Sequence, residues 1–288
     1  MLTAVTNILR ERELLRPGEQ PGFNITLVTE HVANVGAFAG DGASFHIKIK
    51  EGGTFPAEYE NYCNASKAFP RHVPEPLGRY FRDGREVLIF RGVRHHPVSA
   101  GSVHRNTRGL TGEIVRFFED SDKGARIAQP DEAHATSLRR IQERATDPAH
   151  AMIVGKWIVS GRLEGLPHIR QHGDLVLNNL GWTGAGLAVF DWEDFGRITL
   201  PGLDLCTLLA SDARMDAGKL RAIMDGGDRR PDDCADLLDR SCPVIGLTPE
   251  LFRQLIPLYL VIFLDLKRDY GKAIGQVVGR LIDDILGP

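Results

Sequence analysis

The chain has 288 residues, of which 42% are hydrophobic and 25% are charged, and its formal net charge is −3. This length and composition are typical of a globular protein that buries a proper core in one large domain or two lobes. Because the net charge is close to zero, no global field would draw the chain onto nucleic acid or an anionic membrane, and no nucleic-acid partner is expected.

The N-terminal and the most apolar segments predict a cytoplasmic protein without a membrane span. The first residues lack the basic start, the apolar run and the cleavage site of a secretory signal. The stretch from Leu255 to Leu264 is about ten residues long, half of what a bilayer span needs, and is predicted to be a buried core helix. The cysteines lack CxxC spacing, which predicts reduced, mostly buried thiols and neither a zinc site nor disulfides: Cys63, Cys206, Cys234 and Cys242.

The first part of the chain predicts three short strands. Phe23–Val28 and Asn34–Ala39 are β-prone, and Ser44–Lys50 alternates apolar and polar residues with a period of two. The turn residues Gly40-Asp41-Gly42 lie between the second and third strands. These two strands are therefore predicted to form a hairpin.

A helix and a second hairpin are predicted next. Phe55 to Phe69 has helical spacing, with Thr54 as the predicted N-cap. Leu77–Phe81 and Glu86–Phe90 are β-prone runs on either side of the turn Asp83-Gly84, which predicts two antiparallel strands.

The rest of the chain is predicted to be mainly helical. Arg91 to Ser102 is rich in Gly, His, Pro and Ser and is typical of a connector, and a β-rich island spans Ile169 to Phe190. The predicted helical segments are Leu110–Asp120, Asp131–Ala145, His150–Gly161 and the region from Leu203 to Leu286. This layout predicts a two-lobed α+β fold, with a small antiparallel sheet and one helix in residues 1–92 and a larger helical part in residues 93–288.

The segment from Gln171 to Phe195 carries the strongest chemical signal. It contains His172-Gly173-Asp174, then Asn179, and then Asp191 at the end of a short apolar strand. The turn Thr183-Gly184-Ala185-Gly186 predicts a hairpin that brings Asp191 back beside Asn179. Two carboxylates and an amide would then converge at one edge of a small sheet.

Such a set of side chains suits phosphoryl transfer. One carboxylate can orient the attacking hydroxyl and accept its proton, while a carboxylate and an amide can hold Mg²⁺ against phosphates, because hard cations prefer oxygen ligands. The protein mainly supplies position and charge, since little covalent chemistry is required of it.

The pattern HGD-x4-N, followed by a strand that ends in Asp-Trp-Glu, resembles the aminoglycoside phosphotransferase/choline kinase-like family of the protein-kinase-like superfamily. The resemblance implies a bilobal kinase-like fold and an ATP- and Mg²⁺-dependent enzyme that phosphorylates a hydroxyl of a small molecule. It also implies a role for each matching residue: Asp174 as catalytic base, Asn179 and Asp191 as Mg²⁺ ligands, His172 as the structural residue that opens the catalytic loop, and Asp204 as the carboxylate that braces this loop.

The sequence upstream extends the resemblance to a nucleotide site. Glu30-His31-Val32-Ala33-Asn34 is similar to the turn that replaces a glycine-rich phosphate loop in this superfamily. Lys48 resembles the ATP-binding lysine and Glu58 the helix glutamate that pairs with it, with Lys50 and Glu60 as alternates. A solvated strand lysine and an exposed helix glutamate are the ordinary alternatives for these positions.

The segment Glu86–Val93 resembles the last strand of the small lobe and the hinge where adenine binds. The cofactor-binding positions that the resemblance implies are Asn34, Lys48, Glu58, Phe90 and Val93.

The sequence departs from the family pattern at two points. The usual catalytic loop reads like HGDLHPGN, whereas the segment from Leu175 to Asn178 is largely apolar and is expected to reshape the acceptor pocket. The phosphate turn has no glycine before Gly36. These departures motivate an alternative function, a pseudokinase that binds nucleotide or a partner without phosphotransfer. Sugars, aminoglycosides, amino alcohols and homoserine-like metabolites all remain candidate acceptors.

Two acidic features complete the predictions. Glu193 and Asp194 are predicted to be an exposed acidic pair. The region after the motif is predicted to be a solvated helical face, and the functional alternative is a surface that attracts a cationic acceptor. Its acidic residues are Asp212, Asp216, Asp225, Asp228, Asp232, Asp233, Asp236 and Asp239.

Overall fold

The computed structural model describes residues 1–28, 32–40, 42–52, 57–103, 109–226, 232–268 and 272–286. The chain forms two compact units. The sheet unit consists of Met1–His96 and Thr183–Glu193, and the helical unit consists of Pro97–Trp182 and Asp194–Pro288. The domain boundary predicted between residues 92 and 93 stays a prediction.

Five strands form the main sheet: β1 (Gly22–Val28), β2 (Val32–Phe38), β3 (Ser44–Glu51), β4 (Pro76–Arg82) and β5 (Arg85–Arg91). They pair antiparallel in the order β1-β2-β3-β5-β4, so β3 is the central strand. The predicted hairpins are confirmed as β2–β3 and β4–β5. Asp41, in the first predicted turn, lies outside the described residues.

Two helices belong to the sheet unit, α1 (Leu2–Glu11) and α2 (Glu58–Ala68). Helix α2 is the predicted helix, and its buried residues include Glu58, Tyr62 and Ala65 at helical spacing. The predicted N-cap Thr54 lies outside the described residues. Ala57 precedes the helix instead, with a left-handed φ of 57°.

Helix α1 lies in a segment for which no element is predicted. Its residues Val5, Ile8 and Leu9 recur at helical spacing and belong to the same buried cluster as Val35 of β2 and Ile47 of β3. One face of the sheet therefore buries its apolar side chains together with a helix that precedes it in the chain.

Ten helices are described along the chain, and eight of them belong to the helical unit: α3 (Leu110–Ala125), α4 (His134–Arg144), α5 (Pro148–Ser160), α6 (Leu203–Asp212), α7 (Ala217–Asp225), α8 (Asp232–Val244), α9 (Pro249–Leu266) and α10 (Lys272–Leu286). Five further strands are short: β6 (His96–Pro97), β7 (Arg126–Ile127), β8 (His168–Ile169), β9 (Leu180–Thr183) and β10 (Gly186–Val189). Strands β7 and β8 pair antiparallel.

Helix α9 is the buried core helix predicted around residues 255–264. Thr248 caps its start by accepting a hydrogen bond from the Leu251 N–H at 3.1 Å. Tyr259, fully buried in the middle of the helix, donates to the Pro201 carbonyl at 2.6 Å. Cys206, Cys234 and Cys242 are buried, as the sequence predicted for most of the thiols, and Cys63 is partly exposed.

No single helix in the described ranges is both long and apolar enough to cross a membrane. One pair, Cys234–Val244 with Pro249–Leu266, meets the length and composition criteria only when the two helices are taken together, and they are bent by 92°.

Truncation of Leu9 to alanine is expected to lower the free energy of unfolding by about 2–4 kcal/mol, because the side chain is fully buried in the core cluster of the sheet unit. Asn7→Ala is the matched control, since Asn7 is exposed on the same helix and its loss should change stability by no more than about 0.5 kcal/mol. Chemical denaturation followed by circular dichroism measures both. Equal effects of the two substitutions would contradict the packing of α1.

Candidate active site

A buried lysine is the centre of the sheet unit's polar site. Lys48 lies on the central strand β3 and is 8% exposed. Its Nζ donates to Glu58 Oε1 at 2.6 Å and to Asp191 Oδ1 at 2.7 Å. Lys48 is therefore not the solvated strand lysine that was the alternative for this position, whereas His46 and Lys50 on the same face of β3 are half-buried.

Glu58 and not Glu60 is the partner of Lys48. Glu58 lies in the first turn of α2 and is 2% exposed, so its carboxylate points into the unit. Glu60 is exposed and pairs with Arg79 at 2.7 Å. The structure thus separates the two glutamates that the sequence left as alternates.

Asp191 is held at the end of β10 by contacts along that strand. The Val189 N–H donates to the His72 carbonyl at 2.7 Å, and the Asp191 N–H donates to the Tyr62 hydroxyl at 2.8 Å. Asp191 itself has a φ of 64°, in the left-handed region that few non-glycine residues adopt. Such conformations persist only where neighbouring contacts impose them and are common at functional sites.

The ion pairs also set protonation states. Burial opposes the charged form of Lys48, but Asp191 and Glu58 outweigh it, so the pKa of Lys48 is raised well above its usual value. Burial and then the Lys48 ammonium lower the pKa of His46 to about 4. At neutral pH the unit therefore presents a charged lysine beside an uncharged histidine.

Three further predicted cofactor-binding residues lie in the sheet unit. Asn34 on β2 is directly opposite Lys48 in the β2–β3 register. The Phe90 ring is 1% exposed and lies 4.2 Å from the Tyr62 ring, so its side chain supports the core. Val93 is half-buried, and its carbonyl accepts from His95 Nδ1 at 3.0 Å. Their roles in binding a nucleotide stay predictions, and Glu30 and His31 of the predicted phosphate turn lie outside the described residues.

The HGD segment lies in the helical unit and is braced by one carboxylate. Asp204, at the start of α6, accepts the His172 N–H at 2.7 Å and the Gly173 N–H at 2.9 Å. His172 is fully buried, and its Nδ1 accepts the Asp174 N–H at 3.2 Å. Burial raises the pKa of Asp204, although the two N–H donors and His172 oppose the rise. These bonds are the bracing contact that the resemblance implied.

Asp174 and Asn179 are brought together by the loop between them. The Asn179 side-chain Nδ2 donates to the Asp174 carbonyl at 2.9 Å and lies 3.3 Å from Asp174 Oδ2. Leu175 matches the leucine of the usual loop HGDLHPGN, whereas Val176 and Leu177 stand where that loop has His and Pro. Leu175 and Leu177 are 2% and 5% exposed, and Val176 is half-buried. The side chains of Leu175 and Leu177 pack into the core, and the expectation that the apolar loop reshapes the acceptor pocket stays a prediction.

One residue that sequence reasoning missed binds Asp174 directly. Lys267, the residue after α9, has its Nζ 3.0 Å from Asp174 Oδ2 and 2.9 Å from Asp194 Oδ2. Asp194 was predicted to be exposed, but it is 1% exposed and also pairs with Arg197 at 2.6 Å. No sequence spacing could indicate this contact, since Lys267 is far along the chain from both carboxylates.

The acidic region does not form one solvated face. Asp212 is 2% exposed and accepts the Val103 N–H at 3.2 Å, so it is a structural carboxylate. Asp216 caps α7 by accepting the Lys219 N–H at 3.0 Å. Asp228 lies outside the described residues.

The helical unit also contains a cavity of about 710 Å³. Its lining comes from α4, α5, α9 and α10 and includes Ile141, His150, Leu264, Lys267, Arg280 and Asp283. Because Lys267 also binds Asp174, the wall of the cavity includes the direct partner of the predicted base.

The donor set is suited to a hard divalent cation. Asn179 uses its amide nitrogen toward Asp174, so the atom of its side chain that can bind a cation is the carbonyl oxygen. In the sheet unit, carboxylate oxygens of Glu58, Asp191 and Glu193 lie within 4.8 Å of one another, and one oxygen of Asp191 is held by Lys48. The expectation that Asp191 returns beside Asn179 stays a prediction.

Gly173→Ala is expected to destabilise the protein more than Gly165→Ala. Both glycines have positive φ values, +87° and +84°, so both substitutions introduce about 1 kcal/mol or more of backbone strain. At Gly173 the new methyl would also lie 2.9 Å from Asp194 Cβ, whereas nothing is within 4 Å at Gly165. The additional loss of about 1–3 kcal/mol for Gly173→Ala is measured by chemical denaturation, and equal losses would contradict the close approach.

Solved structures with the same fold cover almost the whole chain. Choline kinase LicA from Streptococcus pneumoniae has a TM-score of 0.62 at 14% identity, covering 98% of this chain and 99% of the other. A choline kinase from Cryptosporidium parvum has a TM-score of 0.61 at 10% identity, with 99% and 94% covered. A thermostable mutant of the aminoglycoside phosphotransferase APH(4)-Ia, in a ternary complex with ADP and hygromycin B, has a TM-score of 0.56 at 13% identity, with 98% and 99% covered. The predicted α+β protein-kinase-like fold is confirmed.

No curated protein matches the chain significantly by sequence. The model of the phosphotransferase enzyme family, however, matches residues 68–232, which is more than half of the chain and includes the HGD-x4-N segment, Asp191 and Asp204. The resemblance seen in the sequence is confirmed, and the chain belongs to the phosphotransferase enzyme family.

Proposed function

We propose that this phosphotransferase moves the γ-phosphoryl group of ATP to a hydroxyl of a small molecule and requires Mg²⁺. The observation that carries the proposal is the ion-pair set in which buried Lys48 binds both Glu58 and Asp191. Burying a charged side chain costs free energy, so clusters of buried charges are often retained for a function. The cation of Lys48 suits a polyanion such as a nucleotide phosphate, and the carboxylates suit the cation that accompanies it.

Lys48 and Asn34 are the proposed contacts for the phosphates. They are directly opposite in the β2–β3 register, which places them at the same level of the sheet. A lysine ammonium is a compact cation that suits phosphate oxygens, and Glu58 fixes its position. For Phe90 and Val93 we propose a contribution through the backbone at the adenine, since the Phe90 ring is committed to the core.

Asn179 and Asp191 are the proposed ligands of Mg²⁺, which when bound neutralises charge on the phosphates. For this pair the support is the motif and the family, together with the oxygen donors that each residue offers in its own unit. Asn179 also donates to Asp174, so it would serve the base and the cation with opposite ends of one amide.

Asp174 is the proposed general base. The acceptor's hydroxyl oxygen forms the new bond to the γ-phosphorus, its proton passes to the Asp174 carboxylate, and the bond from the γ-phosphorus to the oxygen of the leaving ADP breaks. The acceptor would occupy the cavity of the helical unit, because its wall includes Lys267, which binds Asp174.

The structure weakens one motive for the pseudokinase alternative. Leu177, which stands where the usual loop has Pro, and its neighbour Leu175 are buried, and their backbone groups are bonded to side chains of α6. Thr207 Oγ1 donates to the Leu175 carbonyl at 3.2 Å, and the Leu177 N–H donates to Ser211 Oγ at 3.1 Å. The departure from the family loop is compatible with the contact between Asp174 and Asn179, which supports the proposed phosphotransfer.

Asp174→Asn is expected to lower turnover by at least about 100-fold while ATP affinity changes by no more than about threefold, because the amide removes the proton acceptor and keeps the shape. ADP release is measured with a panel of acceptors: choline, an amino sugar, an aminoglycoside and a neutral sugar. Asp131→Asn, which changes an exposed carboxylate outside the site, is the control and should retain full turnover.

Two results would contradict the proposal. Full turnover by Asp174→Asn would remove Asp174 from the role of base. ATP binding without ADP release above the spontaneous rate, with every acceptor on the wild type, would favour the pseudokinase alternative.

A further inference from the structure

Four charged side chains form a balanced cluster around Asp174. Lys267 binds both Asp174 and Asp194, and Asp194 also binds Arg197. With two carboxylates and two cations, the formal net charge of the cluster is zero. The Lys267 side chain is only 4% exposed, so its ammonium has exchanged water for these carboxylates.

The stability of the fold alone does not explain why a lysine occupies position 267. A buried ammonium is unfavourable unless it is paired, and an apolar side chain at the end of the otherwise apolar α9 would avoid that cost. Asp194 already has a cation, Arg197, at 2.6 Å. Lys267 binds the other oxygen of Asp194 and is the cation of Asp174, and the two carboxylates together raise the pKa of Lys267 against the effect of burial.

The contacts of Asp174 distinguish its two carboxylate oxygens. Oδ2 is 3.0 Å from Lys267 Nζ and 3.3 Å from Asn179 Nδ2. Among the described residues, no hydrogen bond or ion pair is made by Oδ1. The carboxylate is thus fixed in rotation by two donors on one oxygen, which leaves the other oxygen for a ligand.

We propose that Lys267 is the positioning residue of the catalytic base: it anchors Oδ2 of Asp174 so that Oδ1 takes the proton of the acceptor hydroxyl. This inference rests on the proposed function. The Lys267 ammonium stays charged throughout the reaction and acts only through Asp174. Orientation of a reacting group to within a fraction of an ångström affects the rate of the chemical step much more than it affects binding.

The experiment uses two variants that separate positioning from charge balance. Lys267→Met removes the anchor and leaves two carboxylates, Asp174 and Asp194, with one cation, Arg197, which pairs with Asp194. The double variant Lys267→Met with Asp194→Asn removes one charge of each sign, so the cluster remains neutral and the protein should fold. Lys219→Met, an exposed lysine in α7, is the control. Thermal denaturation checks folding of each variant.

Steady-state kinetics with Mg-ATP and the best acceptor gives the decisive numbers. We expect kcat of the double variant to fall by about tenfold or more, with KM for ATP and acceptor within about threefold of wild type, because only the orientation of the base is lost. In Lys267→Ala, added methylammonium or ethylammonium should restore part of kcat. The same amines should have no effect on Asp174→Asn.

The outcomes separate this inference from the proposed function. Wild-type kcat in the folded double variant, with turnover present in the wild type, would overturn the role of Lys267 and leave the phosphotransfer proposal standing. A parallel loss of kcat and folding stability without amine rescue would show a structural role only, and would also overturn the inference. No ADP release by wild type with any acceptor would overturn the proposed function itself.

Discussion

A buried ammonium that needs two carboxylates organises the sheet unit. Lys48 is on the central strand and is 8% exposed, and an unpaired charge there would be unfavourable by several kcal/mol. The first turn of α2 must therefore direct Glu58 inward, and the chain after β10 must hold Asp191 against the lysine. Asp191 has a left-handed backbone conformation, and its N–H is bonded to the Tyr62 hydroxyl.

The helical unit satisfies its charges in a similar way. Asp204 accepts two backbone N–H groups of the HGD segment, and Lys267 balances Asp174 and Asp194. In each unit a carboxylate with a proposed catalytic or metal-binding role is bonded to a lysine that is distant in sequence. Each buried charge has an opposite charge or backbone N–H donors as its partner, and phosphoryl transfer requires groups that act through charge and position.

Features of the fold and the site could be predicted where they depend on residues close together in the sequence. The HGD-x4-N motif and the strand before Asp191 are local patterns, and the two hairpins were predicted from turn residues and alternation. Helix α1 was not predicted, although Val5, Ile8 and Leu9 have the spacing of one face of a helix. The burial of Asp194 and the role of Lys267 could not be predicted, because a long-range ion pair leaves no periodicity or spacing in a single sequence.

The binding of Mg-ATP tests the central claim most directly. The melting temperature of the wild type is measured with ATP alone, with Mg²⁺ alone and with both, and again in Asp191→Ala. We predict a rise that needs both Mg²⁺ and ATP and that is lost or much reduced in Asp191→Ala, because a ligand stabilises the state that binds it. No rise in the wild type with Mg-ATP, or an equal rise in Asp191→Ala, would contradict the assignment of this site.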